Sequence, residues 1–72
     1  TSKKLEDRAR RMVAASARVD LAEADRLLRE SSQEVKTAIV MGELGLDALS
    51  ARKRLRLAKG HVRKAINGAR RR

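Results

Sequence analysis

Apolar residues fall along this chain in short helical stripes separated by polar breaks. Leu5, Ala9, Met12 and Val13 stand at i, i+4, i+7 and i+8, with Lys, Glu and Arg on the other side. That spacing predicts a helix over residues 3–16. Arg18-Val19-Asp20 interrupts it. Asp20 with Glu23 three residues on has the form of a capping box, in which the Asp accepts a first-turn N–H and the Glu reaches back. The helix it opens presents Leu21, Ala24, Leu27 and Leu28. Ser31-Ser32-Gln33 reads as a turn whose serines cap the next start. A third helix carries Val35, Ala38, Ile39 and Leu44 and ends at Gly45, suited to a left-handed cap. Asp47 opens a fourth, with Ala48, Ala51, Leu55 and Ala58 inward, and Lys59-Gly60 closes it. The fifth holds Val62, Ala65 and Ile66 before fraying into Asn67-Gly68 and the Arg70-Arg71-Arg72 tail. Gly42 falls inside the third helix, where a glycine costs about 1 kcal/mol relative to alanine. A close helix–helix contact is expected there.

Shifting the chain by 27 residues superposes two of these stretches. Asp20 lands on Asp47, Ala24 on Ala51, Leu28 on Leu55 and Arg29 on Arg56, and then Val35 on Val62, Ala38 on Ala65 and Ile39 on Ile66. Each unit reads as cap, helix, tight turn, helix. Such a pair cannot bury its apolar face alone and must stack on something. The expected fold is therefore all-α, a compact cluster of about five short helices. It forms one domain over 1–72, with helix 3–16 followed by repeat units 20–46 and 47–69. Leu28, Ile39, Leu55 and Ile66 are expected to be buried at equivalent positions.

Composition narrows what fills that core. The chain has no Phe, Trp, Tyr, Pro or Cys, so the interior is aliphatic and carries neither disulfide nor thiolate zinc site. Seventy-two residues bury a modest core, and an unstapled domain of this size gains stability by attachment to a larger body or a second subunit. A charged N-terminus with no long apolar run after it predicts neither signal peptide nor membrane span, and a cytoplasmic location.

Charge is unevenly placed. Residues 1–47 hold nine basic and nine acidic side chains, whereas residues 48–72 hold ten basic ones and no acid. Arg52, Arg56, Lys59 and Arg63 are the candidate anion-facing surface, expected largely in solvent on one side of the last two helices. Arg52, Lys53, Arg54 and Arg56 suit phosphates better than base edges, and no aromatic side chain is available for stacking.

Candidate chemistry is sparse. His61 is the one histidine, read as a surface residue at a helix start, and no second His or Cys stands at ligand spacing. No metal, cofactor or catalytic residue is expected. Ser16, Ser31, Ser32 and Ser50 have no base implied nearby. Glu23, Glu30 and Glu34 lie on polar faces, where general acid work lacks the burial it needs.

The ordered segments resemble a known family. Lys4-Leu5-Glu6-Asp7-Arg8-Ala9-Arg10-Arg11-Met12-Val13, Val35-Lys36-Thr37-Ala38-Ile39-Val40-Met41, Gly45-Leu46-Asp47 with Ala51, and Gly60-His61-Val62-Arg63-Lys64-Ala65-Ile66 are similar to the C-terminal helical domain of bacterial N-acetylmuramic acid 6-phosphate etherases. The resemblance implies a ubiquitin-associated-like (UBA-like) three-helix unit plus a second helical pair. It implies a parent lyase that splits the D-lactyl ether of N-acetylmuramic acid 6-phosphate in peptidoglycan recycling. That chemistry resides in a preceding sugar-isomerase-type domain absent from these residues, so no catalytic residue carries over. The implied partners are the sugar-phosphate-binding domain of the same protein and a second subunit of a homodimer. Where the family has glycines at the first inter-helix turn, Ser31-Ser32-Gln33 predicts a tighter, more helical one. Ala17-Arg18-Val19 lacks the Met-Gly-aromatic loop of ubiquitin readers. The leading expectation is a non-catalytic structural and interaction domain. The alternative is a free-standing basic module binding nucleic acid without sequence preference.

Overall fold

Two aspartates open two helices in the same way in the computed structural model, which describes residues 2–70. Asp20 (φ −77°, ψ 173°) accepts the Glu23 N–H at 2.8 Å and starts α2, Leu21–Glu30. Asp47 (φ −77°, ψ 172°) accepts the Ser50 N–H at 2.8 Å and starts α4, Ala48–Leu57. Each side chain satisfies one of the orphan donors of a helix start. The capping box is only half formed, however. Glu23 turns to Arg26, whose Nε donates to it at 2.7 Å, instead of reaching back to Asp20.

The turns that follow match as closely. Ser32 (φ 58°) and Gln33 (φ 66°) adopt the left-handed conformation after α2, as Lys59 (φ 56°) and Gly60 (φ 82°) do after α4. Gln33 N donates to Leu28 O at 2.7 Å, and Gly60 N donates to Leu55 O at 2.8 Å. One hydrogen-bond pattern thus sets both turns. Nor do its serines cap. The N-cap of α3, Val35–Leu44, is Glu34, with no side-chain cap bond. Ser31 is instead fully buried, and its hydroxyl lies 3.2 Å from both Leu28 O and Glu34 O, available as a donor to either. α5, Val62–Arg70, does not fray at Asn67-Gly68 but runs through both. Arg71 and Arg72 of the expected tail lie outside the described residues.

The correspondence also begins earlier than Asp20. α1, Ser2–Ala17, ends in Arg18 at φ 59°, and α3 ends in Gly45 at φ 67°. Val19 N donates back to Ala14 O at 3.0 Å, and Leu46 N donates to Met41 O at 3.1 Å. These are the same backward bonds over a left-handed residue that close many helices. α3 is therefore at once the third helix of a first triad, α1–α2–α3, and the first helix of a second, α3–α4–α5.

Packing follows from that double role. α3 packs against all four other helices. The face that α5 buries through Ala65 and Ile66 corresponds to Ala38 and Ile39, and the face that α1 buries through Val13 corresponds to Val40. α3 buries both sets, so Thr37, Ala38, Ile39, Val40 and Met41 are buried in succession. A helix apolar all round is what a central position requires. The expected core residues Leu28, Ile39, Leu55 and Ile66 are all buried. Helices account for 79% of the structure, with no strand among the described residues.

Two glycines inside helices behave differently. A Cβ at Gly42 would lie 2.7 Å from Ala17 Cβ and 3.0 Å from Leu27 Cδ1. α1 approaches α3 closely there, with the Leu27 side chain of α2 beside it, the close contact expected at this position. Gly68 in α5 has nothing within 4 Å of such a Cβ.

The α1 stripe is the main departure. Leu5 is 65% exposed and Met12 52%, and Leu21 of α2 is 50% exposed. α1 is an end helix and needs one narrow seam, which Val13 and Ala17 supply with Ala9 and Ala14 half-buried beside them.

Candidate interaction surface

The two units share a backbone but not a charge pattern. In α2, Arg26 bridges Glu23 and Glu30, and Arg29 pairs with Asp25 at 2.6 Å. α4 keeps cations at the same two places, Lys53 and Arg56, but the three acids become Ser50, Arg52 and Leu57. The acid-free region seen in the sequence is thus a helix that lost its intrahelical partners and kept its cations.

The four expected anion-facing residues separate on inspection. Arg56, Lys59 and Arg63 are exposed. Arg52 is half-buried and already engaged. Its Nε donates to Glu34 Oε1 at 2.9 Å and its Nη2 to Ser31 O at 3.2 Å, tying α4 to the α2–α3 turn. Lys36 Nζ makes a second tie between the units, donating to Gly60 O at 3.0 Å. Arg52 was read as a solvent-facing cation because the sequence does not show that α4 crosses that turn.

Four carboxylates are held ionised by their neighbours. Arg52 and the Thr37 hydroxyl lower the Glu34 pKa, and the Ser50 N–H and hydroxyl lower that of Asp47. Arg10 lowers that of Asp7, with Arg11 adding to it, and Arg26 lowers that of Glu23. General acid catalysis requires the opposite shift. His61 is exposed at the start of α5. Among the described residues no three of His, Cys, Asp and Glu are placed to hold a metal, and no helix is long and apolar enough to cross a membrane.

Three open clefts mark the surface. One of about 410 Å³ lies over α1 and α2, where Asp7, Arg10 and Asp25 line it beside Leu28. The other two flank Leu57. A cleft of about 300 Å³ runs between α4 and α5, lined by Arg54, Leu57, Ala58, Lys64, Ala65 and Gly68. A cleft of about 440 Å³ runs along α4 past Leu46, Ser50, Lys53, Arg54 and Leu57. Leu57 is 70% exposed and Leu49 77%. Charge counting found the basic side of this surface but not its apolar centre. The signal was available in Leu57, which stands where the first unit has Glu30.

Comparison with known proteins bears out the resemblance. A protein of Deinococcus radiodurans named N-acetylmuramic acid 6-phosphate etherase is 47% identical over 66 residues, 92% of this chain. Proteins of the same name from Salmonella paratyphi B and Salmonella agona are 44% identical over 66 residues, again 92% of the chain. The chain spans 22% of the length of these relatives. No family model matches it, and no solved structure matches it. The chain is homologous to a segment of N-acetylmuramic acid 6-phosphate etherases.

Proposed function

We propose that this chain is a non-catalytic helical domain of a cytoplasmic N-acetylmuramic acid 6-phosphate etherase, C-terminal to its chemistry and UBA-like in its first three helices. It packs against the sugar-phosphate-binding domain of the same protein or against a second subunit of a homodimer. The observation that carries this reading is the 47% identity over 92% of the chain but only 22% of the relative. Two further features support it. The pKa values of Asp7, Glu23, Glu34 and Asp47 are lowered, the opposite of what a general acid for ether cleavage needs, and the histidine stands in solvent. Leu49 and Leu57 of α4 stand in solvent, as they would on a surface made to be covered.

The test is a parent protein with and without this segment, assayed for lactate release and oligomeric mass. Deletion is expected to lower stability or dimerisation first and activity as a consequence. Lactate release by the 72-residue chain alone, or a truncated parent that stays dimeric, stable and fully active, would overturn the reading.

Nucleic-acid binding is the second reading, favoured by the exposed, acid-free cations Arg56, Lys59 and Arg63. It requires weak, sequence-blind affinity that falls steeply with salt.

A further inference from the structure

The internal duplication supplies a template for what covers the second unit. Five of the six residues lining the α4–α5 cleft correspond to buried positions of the first unit: Arg54 to Leu27, Ala58 to Ser31, Lys64 to Thr37, Ala65 to Ala38 and Gly68 to Met41. Two further helices pack against the first unit's α3. On one side α1 brings Ala17 against Gly42, beside Leu27 of α2. On the other α4 lies against α3, with Arg52 crossing to Ser31 and Glu34. The second unit has α3 in the place of α1. Among the described residues no helix stands in the place of α4.

We propose that the α4–α5 groove, centred on Leu57, docks an acidic amphipathic helix of a protein partner. The charge of the groove chooses the occupant. Arg54 and Lys64 flank Leu57, Lys53 lies in the adjoining cleft, and neither cleft is lined by an acid. The partners that α2 carries for its own cations, Glu23, Asp25 and Glu30, are missing from α4. An incoming helix with carboxylates along its edges and an apolar stripe on Leu57 restores both the ion pairs and the cover. An exposed leucine at the meeting point of two clefts favours a protein helix over nucleic acid, whose phosphates offer it nothing. This rests on the packing role proposed above and names the surface through which that role is exercised.

The experiment measures binding of the 72-residue chain to a labelled helical peptide of about 14 residues, roughly four turns, with leucines at i, i+3, i+4 spacing and glutamates elsewhere. A scrambled peptide of the same composition and a single-stranded oligonucleotide of similar charge are the comparisons. The patterned peptide is expected to bind about tenfold more tightly than the scramble. Leu57→Glu, which installs the first unit's residue, should weaken it by about tenfold, as loss of one buried leucine implies. Leu57→Gln should weaken it in the same direction without adding charge, and Leu21→Glu at the other end should leave it unchanged. Circular dichroism of each variant keeps folding separate from binding. Equal binding of the scramble overturns the proposal. So does indifference to both Leu57 variants, or an oligonucleotide that binds more tightly and ignores Leu57. A parent that loses oligomeric mass on deletion of the segment but not on Leu57→Glu keeps the packing role and removes this groove from it.

Discussion

The first and second units have the same caps, the same left-handed turns and the same helix lengths in α2 and α4, yet they bury different things. Leu27, Thr37, Val40 and Met41 are interior in the first, and their counterparts Arg54, Lys64, Asn67 and Gly68 are exposed in the second. Backbone geometry is thus set by a few local residues, Asp20 and Asp47 at the caps and Leu28 and Leu55 beneath the turns. What a unit buries is set by its neighbours. α1 and α4 cover the first unit from two sides, whereas the second has α3 alone.

The largest expected effect tests the shared helix. Ile39→Ala and Ile66→Ala remove the same atoms from equivalent places and should each cost about 2–5 kcal/mol. Ile39 stands in α3, so its loss should weaken hydrogen-exchange protection in both units. Ile66→Ala should weaken it mainly in α4 and α5. Equal spread of the two effects would break the distinction between a central and a terminal helix.

Glycine substitutions come next. Gly42→Ala should destabilise by about 1–2 kcal/mol, because overpacking against Ala17 and Leu27 exceeds the helix-propensity gain. Gly68→Ala, in open space, should raise stability by up to about 1 kcal/mol. Thermal melts with the same sign for both would show that α1 can move away.

A smaller effect comes from exchanging the turns. Gln33→Gly should stabilise by about 1 kcal/mol, since φ 66° suits glycine, and Gly60→Gln should do the reverse. Chemical denaturation of both variants checks the equivalence of the two turns.

The smallest expected effect is electrostatic. Glu34 and Asp47 have folded pKa values below their ordinary 4.5 and 3.8. Groups of this kind contribute stability above the unfolded value and lose it as pH falls through the folded one. Melting temperature should therefore drop below about pH 4.5, and less steeply in Arg52→Gln, which lacks the guanidinium that lowers Glu34. An unchanged acid slope in that variant would remove Arg52 from the tie between units.

Much of this architecture was legible. Six of the seven residues repeated at a spacing of 27 marked helix starts and core positions, because caps and buried leucines act locally; Arg29 and Arg56 are exposed. The burial of Ser31 was not legible, since a serine before a helix is normally a cap and only the crossing of α4 puts it inside. Leu5 and Met12 fitted an apolar stripe, but the stripe that α1 uses runs through the smaller Ala9, Val13 and Ala17. The candidate surface was half legible. Arg56, Lys59 and Arg63 stand in solvent as expected, while Arg52 was misread and Leu57 overlooked.

Sharing one helix between two triads changes the arithmetic of growth. A further 27 residues would lengthen such a chain by two helices and create a third triad, because the last helix already present would serve as the first of the new one. α5 is not equipped for that. It leaves Lys64, Asn67 and Gly68 exposed where α3 buries Thr37, Val40 and Met41. These three positions of α5, with Arg54 of α4 in the place of Leu27, are where the second unit departs from the pattern that lets α3 serve two triads.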